Sequence, residues 1–163
     1  MRRLIFLLAM LFVIFAQDAV AEIVGRATVI DGDTIEVRGE RIRLYGIDTP
    51  ESSQLCDLGG QPYRCGQQAA LALADKLGEK TVHCTEKDVD RYGRTVAVCL
   101  AGNEDINRWI TFQGWALAYR KYSLDYVDAE DEARMASRGL WRGGSEQPWD
   151  WRKEHPRGGS PRP

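Results

Sequence analysis

Apolar and polar positions alternate along this chain in two rhythms, one of strands and one of helices. Over residues 23–47 Val, Ile, Thr and Leu dominate, interrupted by Asp31-Gly32-Asp33 and by Arg38-Gly39-Glu40. Such runs joined by tight polar turns predict a three-strand meander, with strands near 23–30, 33–38 and 41–47. Pro50 ends it, and 52–63 has the composition of a loop. Ala70, Leu73, Ala74 and Leu77 then recur at the i, i+3, i+4, i+7 spacing of a helix face, which Gly78 stops. A second hairpin is expected over 80–86 and 94–100, with Tyr92-Gly93 as its turn signal. A short helix carries Ile106, Trp109 and Ile110 and ends at Gly114. A last one, from about 124 to 138, sets Tyr126, Ala129, Ala133 and Ala136 on one side and stops at Gly139.

Three strands, a helix, two strands and further helices make an α+β pattern. It is consistent with a five-stranded Greek-key barrel of the OB type carrying about three packed helices, although periodicity alone also suits other α+β folds. No internal repeat is visible.

The chain's first segment follows neither rhythm. Arg2 and Arg3 precede an apolar run over 4–16, and Ala19-Val20-Ala21 forms a small-residue cleavage site. These features predict a signal peptide over 1–21, a mature chain from Glu22 and a periplasmic or secreted protein. The paired arginines hint at a twin-arginine route. The run falls short of the roughly 20 residues that span a bilayer, so no stable membrane association is expected after cleavage. The remainder suits one domain, 22–151. Beyond Trp141 the chain grows rich in Gly, Pro and Arg, and 152–163 reads as a disordered tail. With no coiled coil or obvious apolar patch, a monomer is expected.

Composition narrows the chemistry. The chain is 44% hydrophobic and 28% charged with a formal net charge of −2, so it lacks the basic excess of a protein that coats nucleic acid, and any polyanion must be held by local positive charge. Only two histidines occur, His83 in a predicted strand and His155 near the end, which excludes H-E-x-x-H zinc hydrolases and Ser-His-Asp triads. Carboxylates, arginines and a metal are left to do any hydrolysis. Four cysteines in an exported chain favour disulfides, with three possible pairings. Cys56 with Cys65 and Cys84 with Cys99 are the favoured pairs, the second able to face each other across two antiparallel strands. A four-cysteine zinc site would want a C-x-x-C spacing that is absent, and free structural thiols are the remaining alternative.

The acidic and basic residues crowd into three segments: Asp31-Gly32-Asp33-Thr34, then Arg43 with Asp48-Thr49-Pro50-Glu51, then Asp90-Arg91-Tyr92-Gly93-Arg94. An EF-hand is ruled out, because Ile35 stands at its next ligand position and Glu36 at its required glycine. Taken singly, the first segment reads as a hairpin turn, and Arg43 and Glu51 as surface charges. Taken together and in order, the three resemble the signature of the staphylococcal nuclease family: D-G-D-T, R-x-x-x-x-D-T-P-E and D-[KR]-Y-G-R. The resemblance continues through Gln113-Gly114-Trp115-Ala116 and Gly139-Leu140-Trp141.

That resemblance implies a calcium-dependent endonuclease of the micrococcal type, which hydrolyses phosphodiester bonds of DNA or RNA with low sequence specificity. It implies Asp33 and Asp48 as calcium carboxylates and Thr49 as a backbone-carbonyl ligand. Glu51 is implied to meet the attacking water, as general base or as orienter. Arg43 and Arg94 match the phosphate-binding arginines and Tyr92 a tyrosine beside the nucleotide. Tyr119 and Tyr122 lie near the other nucleotide-contacting tyrosines with a different spacing. The chemistry is coherent. Calcium prefers oxygen ligands, and the planar guanidinium fork gives a phosphoryl group two hydrogen bonds where lysine is a point charge. Two arginines and a dication stabilise developing negative charge without a covalent intermediate.

Blander readings stand beside these. Arg94 can pair with Asp90 across its turn, Tyr92 can be a surface residue, and Tyr126, Trp109, Trp115 and Trp141 suit a core. The chain also departs from the best-known family member, whose loop after the catalytic Glu is rich in lysine. Here 52–66 holds Cys56, Asp57, Cys65 and Arg64 as its one basic residue, leaving Arg91, Arg120, Lys121, Arg152, Lys153 and Arg157 as other sources of positive charge. Two alternatives of another class are an OB module that binds single strands without cutting them and an envelope scaffold for polysaccharide or protein contacts.

Overall fold

The computed structural model describes residues 22–156; the expected signal peptide and residues 157–163 lie outside the described residues. The meander forms as β1 (Glu22–Asp31), β2 (Thr34–Val37) and β3 (Glu40–Leu44). The later hairpin forms as β7 (Thr81–Val89) and β8 (Thr95–Ala101). β1 pairs antiparallel with both β2 and β7, β2 with β3, and β7 with β8. A parallel pairing of β3 with β8 then closes five strands into a barrel, the OB architecture expected from the element order.

Alternation explains why the barrel closes. Ile35, Val37, Ile42, Leu44, Val82, Cys84, Ala97 and Cys99 all point inward and are buried, while their neighbours along each strand are more exposed. Against this core pack Leu73 and Leu77 of α1 (Cys65–Leu77) and Ile106 and Ile110 of α2 (Ile106–Phe112). Gly78 ends α1 at a φ of 48°, and its N–H bonds to Ala74 O at 2.8 Å. No helix among the described residues is long and apolar enough to cross a membrane.

Three segments differ from the pattern reading. Residues 52–63, which have a loop's composition, contain the hairpin β5 (Leu55–Leu58) and β6 (Gln61–Arg64) around Gly59-Gly60, and α1 starts directly after it at Cys65. The Gly-Gly turn was the signal for it, with φ of 63° and 84° at its two residues. The expected helix over 124–138 is only Val127–Met135, here α3, because the chain turns away through Ser137 at φ 50° and Arg138 N bonds to Ala133 O. Tyr126, Ala129 and Ala133 are buried as expected, but Ala136 is exposed beyond the helix end. Finally, residues up to Glu154 form α4 (Pro148–Glu154), so that Arg152 and Lys153 are helical. Pro148 at the first turn, Asp150 behind it and two cations in the last turn are helix-terminus signals that Gly/Pro/Arg composition obscured.

Short elements complete the chain: β4 (Ile47–Asp48), β9 (Glu104–Asp105), β10 (Leu117–Ala118) and a 3-10 turn over Gly139–Arg142. Trp109 and Trp115 pack on the barrel core, and Trp141 and Trp149 on a second cluster of Cys56, Cys65, Leu117 and Leu140.

Both favoured disulfides are present, Cys56–Cys65 with Cα atoms 5.6 Å apart and Cys84–Cys99 at 4.0 Å, the latter directly opposite across β7 and β8. Their sequence separations are 9 and 15 residues. Removing either is expected to cost about 3 kcal/mol, a fall of roughly 10 °C in Tm by calorimetry. The activity readout separates the two. Loss of Cys84–Cys99 should leave turnover of the folded protein intact, whereas loss of Cys56–Cys65, which ties the segment after Glu51 to α1, should lower it.

Candidate active site

Four short segments meet at one end of the barrel. The turn between β1 and β2 presents Asp33, whose own N–H bonds to Asp31 Oδ1 at 3.1 Å. Gly32 lets that turn settle onto the chain after β4, since a Cβ there would lie 2.8 Å from both Thr49 Oγ1 and Ala69 Cβ. Asp33 Oδ2 then accepts the Thr49 N–H at 3.2 Å, and Thr34 Oγ1 donates to Asp33 Oδ1 at 3.1 Å. Arg43 stands on β3 in register with Thr34 and spans two carboxylates. Its Nη1 donates to Asp33 Oδ1 at 3.0 Å and its Nη2 to Asp48 Oδ1 at 2.7 Å.

Asp48 has no exposed side-chain surface and lies on β4, opposite Leu117 of β10. The link from β3 to β4 is anchored by buried Asn107 at the start of α2, whose Nδ2 donates to Tyr45 O at 3.0 Å and to Ala97 O at 3.1 Å. Glu51 follows two residues after Thr49. Its N–H donates to Gln54 Oε1 at 3.2 Å, its carbonyl accepts Gln54 N at 2.8 Å, and buried Gln54 reaches Glu146 O at 2.8 Å. Gly66 in the first turn of α1 allows this loop to pack closely, because a Cβ would fall 1.9 Å from Glu51 O.

Pattern reading assigned Arg152 to the tail, but α4 carries it into the centre. Its Nη1 and Nη2 donate to Asp48 Oδ1 and Oδ2 at 3.1 and 2.6 Å, and Nη1 also donates to Glu51 Oε1 at 3.0 Å. Asp48 is thus clamped between two guanidiniums. Burial and the Asp33 charge nonetheless push its carboxyl above the usual carboxylate range, against the hydrogen bond and charge of Arg152 and the charge of Arg43. Burial also works to raise Asp33, but the Arg43 charge and the donors around it prevail and hold it below that range. Burial followed by the charge of Asp33 lifts Asp31 to about 6. Burial disfavours the charges of Arg43 and Arg152, yet their acidic partners raise both above the ordinary guanidinium value.

The remaining expected site residues form two further groups. Arg94 directly precedes Thr95, which pairs with Ile42 beside Arg43, and its guanidinium is held by Asp90: Nε and Nη2 each lie 2.7 Å from Asp90 Oδ2. Asp90 Oδ1 also accepts the N–H groups of Tyr92 and Arg94 at 2.9 and 3.0 Å, so the carboxylate organises the whole turn. Burial opposes the Asp90 charge, but those hydrogen bonds and Arg94 bring its carboxyl below the usual range. Tyr92 is 69% exposed, with Arg91 and Arg94 over its ring at 4.9 and 5.6 Å. Tyr119, whose N–H bonds to Gly46 O at 2.9 Å, meets Tyr122 edge-on at 4.9 Å and stacks on Trp149 at 5.3 Å.

The family profile described as "Staphylococcal nuclease homologue" matches residues 41–143 of this chain. The chain belongs to the staphylococcal nuclease family. The match spans Arg43, Asp48, Glu51 and Arg94; Asp33 lies before it and Arg152 after it. Among relatives, the chain is similar to a micrococcal nuclease of Shigella flexneri, 38% identical over 143 residues and 77% of each chain. It is 34% identical to an uncharacterized endonuclease of Haemophilus influenzae over 132 residues, covering 76% of this chain and 69% of the relative. It is also similar to the succinoglycan biosynthesis protein ExoI of Rhizobium meliloti, 40% identical over 139 residues, 83% of this chain and 73% of that one.

For a nuclease of this family the donor set fits a hard cation. Asp33 and Asp48 are close enough to share one guanidinium, and buried Thr49, which directly follows Asp48, donates its N–H to Asp33. Among the described residues no three His, Cys, Asp or Glu side chains gather as a metal site.

Proposed function

We propose that this nuclease is exported and calcium-dependent and that it hydrolyses phosphodiester bonds of DNA, RNA or both with low sequence specificity. The observation that carries this reading is the Arg43 fork between Asp33 and Asp48, with Glu51 joined to Asp48 through Arg152. Asp33, Asp48 and the Thr49 carbonyl would hold calcium, which supplies Lewis-acid polarisation of a phosphate oxygen when bound. Glu51 accepts a proton from the attacking water or orients it. Arg43 and Arg94 donate to the phosphoryl oxygens as charge builds there, and Tyr92, with Tyr119 and Tyr122, flanks the nucleotide. The two disulfides support an oxidising compartment.

The decisive experiment incubates the mature protein with plasmid DNA and with RNA in calcium, magnesium or chelator. Cleavage in calcium, little in magnesium and none in chelator is expected, because magnesium demands a tighter octahedron than this partial shell offers. Full activity in chelator, or equal activity with magnesium, would sink the calcium assignment. Asp33→Asn and Asp48→Asn should each raise the calcium requirement about tenfold, equal to about 1.4 kcal/mol.

Arg152 gives the opposite sign. Its guanidinium occupies both oxygens of Asp48, so a cation approaching Asp48 must displace a like charge. Arg152→Gln is therefore expected to tighten calcium binding several-fold in titration calorimetry without substrate; unchanged or weaker binding would show that Arg152 and calcium do not compete.

A further inference from the structure

A groove of about 690 Å³ opens beside the acidic centre, and its walls include Tyr119, Arg120, Arg134, Trp141, Trp149 and Lys153. We propose that this groove is a subsite for single-stranded nucleic acid flanking the cleaved bond, a role that rests on the nuclease reading above and extends it to residues outside the three motifs. Three observations converge on it.

The first is placement. Trp149, Arg152 and Lys153 fall at i, i+3 and i+4 on α4 and so share one helix face. Arg152 holds Asp48 and Glu51 while Trp149 and Lys153 line the groove, with only about 4.5 Å of helix rise from 149 to 152. On the other wall, β10 contributes Leu117, the partner of Asp48 across the β4 pairing. A strand with a phosphate at the acidic centre thus has the groove as its neighbour.

The second is charge. Arg120, Lys121, Arg134 and Lys153 line the groove; its single acid, Glu130, is buried at 1% exposure and ion-paired with Arg120, and Lys153 pairs with Asp150 at 2.7 Å, so the groove's cations still outnumber the acids that meet them. In a chain with net charge −2, this is the local positive excess that a polyanion requires and that 52–66 lacks.

The third is aromatic surface. Tyr119 and Trp149 are stacked with rings 4° from parallel, and Tyr122, 62% exposed, extends the surface edge-on. Bases of any identity stack on such a platform. On the far wall Arg134 lies 4.4 Å over the ring of Trp141, so a cation and an aromatic side by side line the groove there too. A neutral glycan would also stack on the aromatics but would have no use for the cations.

The test measures binding of a labelled 12-mer of oligothymidylate in chelator, where cleavage is blocked, across a salt series. Arg134→Gln with Lys153→Gln is expected to weaken binding about tenfold. It should also make the salt slope shallower by about 1.4, the value for two lost phosphate contacts on a single strand. Arg134→Lys with Lys153→Arg should keep the slope, which a merely structural loss would not. In calcium the neutralised variant should raise KM about tenfold for the 12-mer and less than twofold for a dinucleotide too short to reach the groove. An unchanged slope, or equal KM increases for both substrates, overturns the subsite. Stronger competition by a polyuronate than by unlabelled 12-mer would assign the groove to acidic polysaccharide and overturn it as well. Failure of the wild type to cleave anything in calcium would instead count against the nuclease reading, while the chelator titration still judges the groove.

Discussion

Glu51→Gln is expected to fold and take up calcium like the wild type, yet to cleave about 10²–10⁴-fold more slowly. The amide keeps the shape of the side chain, and its Oε1 can still accept the 3.0 Å hydrogen bond from Arg152 Nη1. The loop bonds between Glu51 and Gln54 involve only the backbone of residue 51 and should persist. What disappears is the basicity of a carboxylate toward the attacking water. Single-turnover rates at saturating calcium, with Tm and calcium affinity as controls, isolate that loss. A variant that retains more than a tenth of the wild-type rate would remove Glu51 from the role of proton acceptor and leave it as an orienting residue.

Arg43→Lys should lower turnover by about 10²–10³-fold, the usual cost of losing a placed donor to a developing oxyanion. Arg43 reaches Asp33 at 3.0 Å and Asp48 at 2.7 Å through two different nitrogens, a span that one ammonium cannot reproduce. One buried carboxylate would then lose a charged donor while keeping its others, so a stability loss of about 1–3 kcal/mol should accompany the kinetic one. Arg94→Lys separates the two effects. Its guanidinium is tied to Asp90 on a turn rather than to the buried pair, so turnover should fall comparably with a smaller change in Tm. Wild-type cleavage by both lysine variants would end the phosphate-clamp assignment for both arginines.

Much of this protein was legible before its tertiary structure. The barrel strands and the helices α1 and α2 appeared where apolar spacing put them, because residues such as Ile35, Ile42, Leu73 and Ile110 must face one core whatever the rest of the chain does. Cys84 and Cys99 could be paired because the same spacing set their strands side by side. The motifs likewise named Asp33, Arg43, Asp48 and Glu51, and the fold gathers all four within a connected set of hydrogen bonds. Local composition misled where a few strong constraints override it. The segment over 52–63 looks like a loop, yet Gly59-Gly60 and the Cys56–Cys65 bridge make it a hairpin.

Other relations depended on distance along the chain and were decided only by folding. Asn107 anchors the backbone at Tyr45, 62 residues away, and no pattern near either residue announces it. Arg152 is separated by 104 residues from Asp48 and by 101 from Glu51. In sequence it is one cation among several in a Gly/Pro/Arg-rich stretch; in the structure α4 aims its fork at two carboxylates and sets Trp149 against Tyr119. Periodicity and turn chemistry act over a few residues, so sequence alone determined the barrel strands, α1, α2 and the motifs, and favoured the disulfide pairs that form. Which charge neutralises a buried carboxylate is set by three-dimensional proximity in a low-dielectric site, and that proximity exists only once the barrel has closed and α4 has docked on it.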